Sequence, residues 1–175
     1  VTPISTASFV TDKLGWAVTE RRIYRTDDGA ARWTRQLRSD QPLNAIAFVD
    51  ENNGLAVGEG GIIYRTEEGG VPSTEQGQVL CAGSTCEDDL LTTWELVNSG
   101  TAAALTDITF VGASNFWITG EDGLVLRSTD GGQTWAREGP VWDPGNDDAP
   151  YSYSAPHGAR LSDGSMALVA FRVDF

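Results

Sequence analysis

Short apolar runs, each closed off by glycines and acidic or amide residues, recur along most of this chain. Asn44-Ala-Ile-Ala-Phe-Val49, Gly54-Leu-Ala-Val-Gly58 and Ile62-Ile-Tyr-Arg65 are separated by Asp50-Glu-Asn-Asn-Gly54 and Glu59-Gly-Gly61. Brief runs rich in β-branched and aromatic residues predict strands, and separators that tolerate positive φ predict hairpin turns. No window carries a sustained 3.6-residue apolar period, so almost no helix is expected.

The same pattern is written three times. Gly120-Glu-Asp-Gly-Leu-Val-Leu-Arg-Ser-Thr-Asp-Gly-Gly-Gln-Thr-Trp135 is echoed by Gly58-Glu-Gly-Gly-Ile-Ile-Tyr-Arg-Thr-Glu-Glu-Gly-Gly70 and, more loosely, by Thr19-Glu-Arg-Arg-Ile-Tyr-Arg-Thr-Asp-Asp-Gly-Ala-Ala-Arg-Trp33. Phe9 to Phe48 spans 39 residues, Thr26 to Thr66 spans 40 and Trp94 to Trp135 spans 41. The interval from Trp33 to Trp94 is 61, which places an insertion at about 71–92 in the second unit. A period near 40 with several short strands per unit is the spacing of propeller blades. The tryptophan closing each unit, with the residues after it, is expected to form the fourth, outermost strand.

Ser128-Thr-Asp-Gly-Gly-Gln-Thr-Trp135 fits the pattern Ser/Thr-x-Asp-x-Gly-x-Thr-Trp. This resembles the Asp-box of bacterial neuraminidase repeats, sortilin-type propellers and the photosystem II assembly and stability factors. The wider unit most resembles the assembly-factor type, on Phe9-Val-Thr-Asp-Lys-Leu-Gly-Trp-Ala-Val18, Phe48-Val-Asp-Glu-Asn-Asn-Gly-Leu-Ala-Val57 and Phe110-Val-Gly-Ala-Ser-Asn-Phe-Trp-Ile-Thr119. The resemblance covers about residues 8–138. Ala30 and Arg32 replace Gly and Thr in the first box, Glu68 replaces Asp in the second, and the insertion splits that second box.

Three phased carboxylates, Asp28, Glu68 and Asp130, look in sequence like an acidic cluster. A propeller instead spreads them over the periphery of separate blades. The expected role is structural: the carboxylate accepts hydrogen bonds from its own turn, while Trp33, Trp94 and Trp135 bury rings between neighbouring strands. The resulting fold class is all-β, an incomplete propeller of four-stranded blades. Three blades occupy 1–138, a Pro/Tyr-rich loop 139–157, and the start of a fourth blade 158–175.

Composition adds constraints on location and partners. The two cysteines, Cys81 and Cys86, both fall in the insertion, and His157 is the single histidine, so this chain has no four-ligand zinc set. The cysteines read either as a local disulfide, which implies a periplasmic, lumenal or otherwise extracytoplasmic compartment, or as two free thiols on a surface loop. The chain opens on Val1, consistent with a leader or anchor that has been removed or lies outside this sequence. No apolar run approaches the roughly 18 residues of a membrane span. No cofactor or metal is expected: Asp143, Asn146, Asp147 and Asp148 lack the ligand order and closing Glu of a calcium loop.

Charge is unevenly spread. Residues 1–40 carry a balance of +2 and the remainder −15, within a net charge of −13. So acidic a chain is repelled by polyphosphate, which argues against nucleic acid. Arg21, Arg22, Arg35 and Arg38 make the first blade a candidate docking surface, or are solvated strand residues paired with nearby carboxylates. Arg25, Arg65 and Arg127 each precede the Ser/Thr of a box. They therefore form an arc that either grips partner carboxylates or pairs within each blade. The loop 139–157 holds four of the seven prolines. Its Trp142, Tyr151 and Tyr153 serve either as interface anchors or as cover for the third blade.

Two functions compete at this level. The resemblance implies a noncatalytic module that docks on a membrane complex, a photosynthetic reaction centre or its assembly intermediate. The alternative is a carbohydrate-active, sialidase-like propeller. Its Phe/Tyr-Arg-Ile-Pro motif is unmatched, since Phe171-Arg-Val-Asp174 lacks the proline and stands at the wrong end.

Overall fold

In each unit the apolar runs pair with their sequence neighbours, because turns of two to five residues join the first three strands and leave antiparallel pairing as the nearest way to satisfy backbone groups. The structure, a computed structural model, describes residues 3–70 and 92–138, together with the strands 153–160 and 166–172 as backbone. The first blade comprises β1 (Thr6–Phe9), β2 (Gly15–Thr19), β3 (Arg22–Thr26) and β4 (Thr34–Arg38). The second comprises β5 (Leu43–Phe48), β6 (Gly54–Gly58), β7 (Ile63–Thr66) and β8 (Glu95–Val97). The third comprises β9 (Leu105–Val111), β10 (Asn115–Gly120), β11 (Val125–Ser128) and β12 (Ala136–Glu138). Each blade is a four-stranded antiparallel meander in chain order, and no α-helix occurs among the described residues. Trp33, Trp94 and Trp135 each stand one residue ahead of the outermost strand.

The turns bear out the glycine pattern. Between β6 and β7 a single 3-10 turn holds Gly60 at φ 66° and Gly61 at φ 73°. A Cβ on Gly61 would stand 2.0 Å from the Thr101 carbonyl oxygen, so backbone approach as well as φ requires glycine there.

Two apolar cores lie between blades rather than within them. Successive side chains of a strand face opposite sides, so each blade gives one face to the blade before it and the other to the blade after. Trp16, Val18, Ile23, Leu43, Ile46, Phe48, Ala56 and Trp94 form the first joint. The second joint contains Leu55, Val57, Ile63, Ile108, Phe116 and Ile118. At the first, the Trp16 indole is fully buried and stacks on Phe48 with centroids 3.5 Å apart and planes 6° off parallel. Trp94 meets the same ring edge-on at 5.7 Å. Gly54 underlies Phe48 so closely that a Cβ would stand 2.5 Å from the ring.

The fourth unit is represented by β13 (Tyr153–Arg160) and β14 (Met166–Arg172), a two-stranded hairpin against β9 and β10 of the third blade. The strand thus starts within the stretch expected to be loop. Its register slips between Ser154 and His157, which accommodates Pro156, a residue with no amide to give to a ladder. Most of the insertion, with Cys81 and Cys86, lies outside the described residues, as do Trp142 and Tyr151.

Trp16 should be the most sensitive position in the first joint. Trp16→Phe keeps an aromatic ring but removes the indole N–H, and should lower stability by about 1 kcal/mol. Trp16→Ala should cost about 3–5 kcal/mol. Urea titration checks both, and equal losses would show that stacking on Phe48 contributes nothing.

Candidate partner-binding surface

The box turns are built from within. In the third blade the Asp130 carboxylate accepts from Ser128 Oγ at 2.7 Å, from the amides of Gln133 and Thr134 at 3.0 Å each, and from Thr134 Oγ1 at 2.5 Å. These donors, the Thr134 hydroxyl foremost, lower its pKa to about 2. In the first blade Arg32 stands where the box has threonine, yet the turn closes. Its amide donates to Asp28 at 2.9 Å and its Nε at 3.1 Å, and Thr26 Oγ1 adds a bond at 3.0 Å. The Arg32 amide is the main cause of the lowered Asp28 pKa. In the second blade Glu68 is exposed. There the Thr66 and Thr93 hydroxyls meet at 3.2 Å and rejoin the two halves of the box across the insertion. The three boxes sit on three separate sheets, and no group of metal-ligating residues occurs among the described ones.

Arg25, Arg65 and Arg127 occupy equivalent positions, each paired across strands two and three with Trp16, Leu55 and Trp117 respectively. Their surroundings differ. The Arg25 Nε is buried without an acceptor, and its guanidinium lies 5.9 Å from the Trp16 ring centroid. Arg65 donates from Nε to the Gly131 carbonyl of the third blade at 2.7 Å and pairs with Glu67. The Arg127 side chain is 42% exposed, lies 5.3 Å from the Trp117 centroid and approaches Glu138 at 3.7 Å. Arg65 also borders a groove of about 260 Å³ with Thr66, Glu67, Glu68, Thr92, Thr93 and Glu95, a lining more acidic than basic.

The first-blade arginines are brought together on one sheet face. Arg22 pairs directly with Arg38, and Tyr24 with Arg35, in adjacent rows of β3 and β4. Like charges so placed oppose one another unless an anion or carboxylate stands between them. Arg21 lies at the turn beside them and donates to the Asp40 carbonyl at 2.6 Å. The Tyr24–Arg35 row continues inward through Ala17 and Ala7, the Arg22–Arg38 row reaches Thr19, and Phe9 lies in a separate row with Gly15 and Thr26, two residues along β1 from Ala7. Phe9 is 48% exposed and meets Trp33 edge-on at 6.1 Å. An aromatic site beside the arginines was not foreseen in sequence. The available signal was that Phe9 matches Phe48, whose ring is covered by the Trp16 of a preceding blade, while the first unit has none before it among the described residues. Tyr153 begins β13, and its side chain lies outside the described residues.

This fold and these turns define an Asp-box, or BNR-type, β-propeller. The family described as photosynthesis system II assembly factor YCF48 matches residues 86–152, so the chain is similar to that family over less than half of its length. A solved structure of YCF48 bound to D1 peptide is 22% identical with a TM-score of 0.58, covering 78% of this chain and 39% of that one. A structure of YCF48 from Cyanidioschyzon merolae is 15% identical with a TM-score of 0.44, covering 86% and 59% respectively. No curated protein matches significantly. The chain therefore spans about two fifths of the length of the first structure.

The box chemistry sets two expected outcomes. Asp130 titrates near 2 when folded against an ordinary 3.8, so its contribution to stability is complete above pH 4 and lost as pH falls through about 2. Asp130→Asn should flatten urea midpoints measured between those values, and an unchanged slope would show that the carboxylate is not what holds the turn. Ala30 stands at φ 70°, where the other boxes have Gly70 and Gly132. Ala30→Gly should raise stability by about 1 kcal/mol, seen as a higher melting temperature.

Proposed function

We propose that this chain is part of a noncatalytic interaction module that docks on a membrane complex and stabilises it or helps to assemble it. The complex we have in view is a photosynthetic reaction centre, met from its periplasmic, lumenal or otherwise extracytoplasmic side. One observation carries the reading: the face of the first blade that pairs Arg22 with Arg38 and Tyr24 with Arg35, beside an exposed Phe9, on a chain otherwise strongly acidic. Cationic rows with aromatic neighbours suit a partner segment that offers carboxylates and an apolar side chain. The relation to the YCF48 assembly factor supports the choice of complex, and the solved relative bound to D1 peptide makes a reaction-centre polypeptide the natural probe.

The contact set is Arg21, Arg22, Arg35 and Arg38 with Trp142, Tyr151 and Tyr153 from the region before β14. Arg25 and Arg65 we assign to blade joints instead, since one lies over Trp16 and the other is engaged by Gly131 and Glu67. A Cys81–Cys86 disulfide accords with the compartment. The box carboxylates stand on separate blades, and Asp28 and Asp130 serve their own turns, which supports a noncatalytic role.

Arg22→Glu, Arg35→Glu and Arg38→Glu combined should weaken capture of purified reaction centres, or of a synthetic D1 peptide, by tenfold or more at low salt. The difference should shrink as salt rises, because exposed charges are screened over about 8 Å at physiological ionic strength. Unfolding curves of the same variant report whether the fold is intact. Undiminished capture by the folded triple variant, together with loss of capture in the presence of a competing sugar, would favour the sialidase-like alternative.

A further inference from the structure

The turn that joins β5 to β6 lies beneath both halves of the first joint. Gly54 underlies Phe48, on which Trp16 stacks, and the Asn52 carbonyl accepts from the Gly69 amide at 2.7 Å. Gly69 in turn gives its own carbonyl to the Trp16 indole at 2.9 Å. Asn53 stands between these two supports. Its Nδ2 spans both oxygens of the Asp50 carboxylate at 3.0 Å each, and Asp50 Oδ1 also accepts the amides of Asn52 and Asn53 at 2.8 Å each. The Asn53 carbonyl is held as well, by the Val49 amide at 3.0 Å.

These demands leave a labile pair of residues in the turn. Glycine is required at 54 because a Cβ would meet the Phe48 ring at 2.5 Å, and the side-chain amide at 53 gives Asp50 its clamp. Together they make the one Asn-Gly step in the sequence. Glycine puts no side chain in the way of its own backbone nitrogen, which attacks the neighbouring side-chain amide once the chain rotates to bring the two together. The first blade avoids this step. Leu14 precedes Gly15 there, and Thr11 Oγ1 closes the turn by accepting the Leu14 amide at 2.9 Å. In the third blade Asn115 precedes Phe116.

We propose that Asn53 is a modification site, converted to aspartate or isoaspartate by attack of its own backbone, that the fold keeps latent, and that conversion releases the first joint. The Gly54 nitrogen bonds to Asn53 Cγ, and its proton departs with the side-chain nitrogen as ammonia. Water then opens the resulting succinimide at either carbonyl. The attack needs the peptide plane between 53 and 54 to turn, yet that plane carries the carbonyl bonded to Val49 and the nitrogen of Gly54, which is paired with Phe48 and Thr66. Asp50 restrains the side chain, and its charge opposes the anion that forms during attack. Burial would raise the Asp50 pKa, but the bonds from the Asn53 side chain and the two backbone amides outweigh it and hold the carboxyl below its ordinary value. Conversion undoes this arrangement. An acid at 53 sets a second carboxylate against Asp50 where an amide had bonded both of its oxygens, and isoaspartate also adds one backbone atom between Asn52 and Gly54. The seat of Phe48 and the anchor of Gly69 are then displaced together.

The test incubates the 175-residue chain in warm, mildly alkaline buffer beside a synthetic peptide with the sequence of residues 46–58. Peptide mapping by mass spectrometry should show Asn53 converting about tenfold or more faster in the peptide than in the folded chain, a ratio set by how seldom the turn opens. Asp50→Thr copies the closure of the first blade and loses only the side-chain clamp. It should stay folded and convert about threefold or more faster than the parent. Asn53→Leu, also taken from the first blade, should show no change with time in its Trp16 indole resonance. The converted chain carries an added negative charge and separates by ion exchange. In it the Trp16 indole N–H should exchange with solvent about tenfold or more faster, while that of Trp135 is unchanged. Equal rates in chain and peptide, no faster conversion in a folded Asp50→Thr chain, or an undisturbed Trp16 in the converted chain would each overturn the proposal.

Discussion

The joint made by Trp16 is the constraint on which the rest depends. A single β-meander has two faces and cannot bury both alone, so a blade is stable only between neighbours. Trp16 supplies that connection in two ways at once. Its ring stacks on Phe48, and its N–H holds the Gly69 carbonyl in the box turn of the second blade. The stack requires Gly54 beneath Phe48, and the bond requires the box turn to hold its shape, so the strand, the turn and the neighbouring blade are specified together.

The Asp-box takes its meaning from that joint. Its carboxylate organises a short turn from hydroxyls and amides of the same turn, which is why Asp130 titrates low while standing near solvent. The ordered turn then presents a carbonyl outward to the preceding blade. First-blade chemistry shows how tolerant the device is: Arg32 gives an amide and a guanidinium N–H where the third box has the amide and hydroxyl of Thr134. The third blade holds the same carboxylate closure without substitution, and the second is rejoined by two threonine hydroxyls across an insertion.

Where the joints are not matched, the molecule offers surfaces. The first blade turns Phe9 and rows of arginine outward on the face that, in the second blade, is buried against Trp16. On the third blade the equivalent indole–guanidinium pair, Trp117 with Arg127, stands beside Glu138.

Period and composition were enough to read the blades. The 39-to-41-residue spacing, the glycine turns and the closing tryptophans are local signals, set by strand length and turn conformation, and they predicted four-stranded meanders and peripheral boxes without any knowledge of contacts. The same local signals misplaced the start of β13, because Pro156 reads as loop and only the register slip beside it lets a strand pass. What the sequence left open was the use of each arginine. Arg25, Arg65 and Arg127 are indistinguishable by phase, yet one is displaced from a carbonyl by an indole, one holds the next blade and one faces outward. That choice depends on whether Trp or Leu stands opposite and on which turn the neighbouring blade brings within reach. Both are properties of packing between blades some 40 residues apart, and tertiary structure alone decides them.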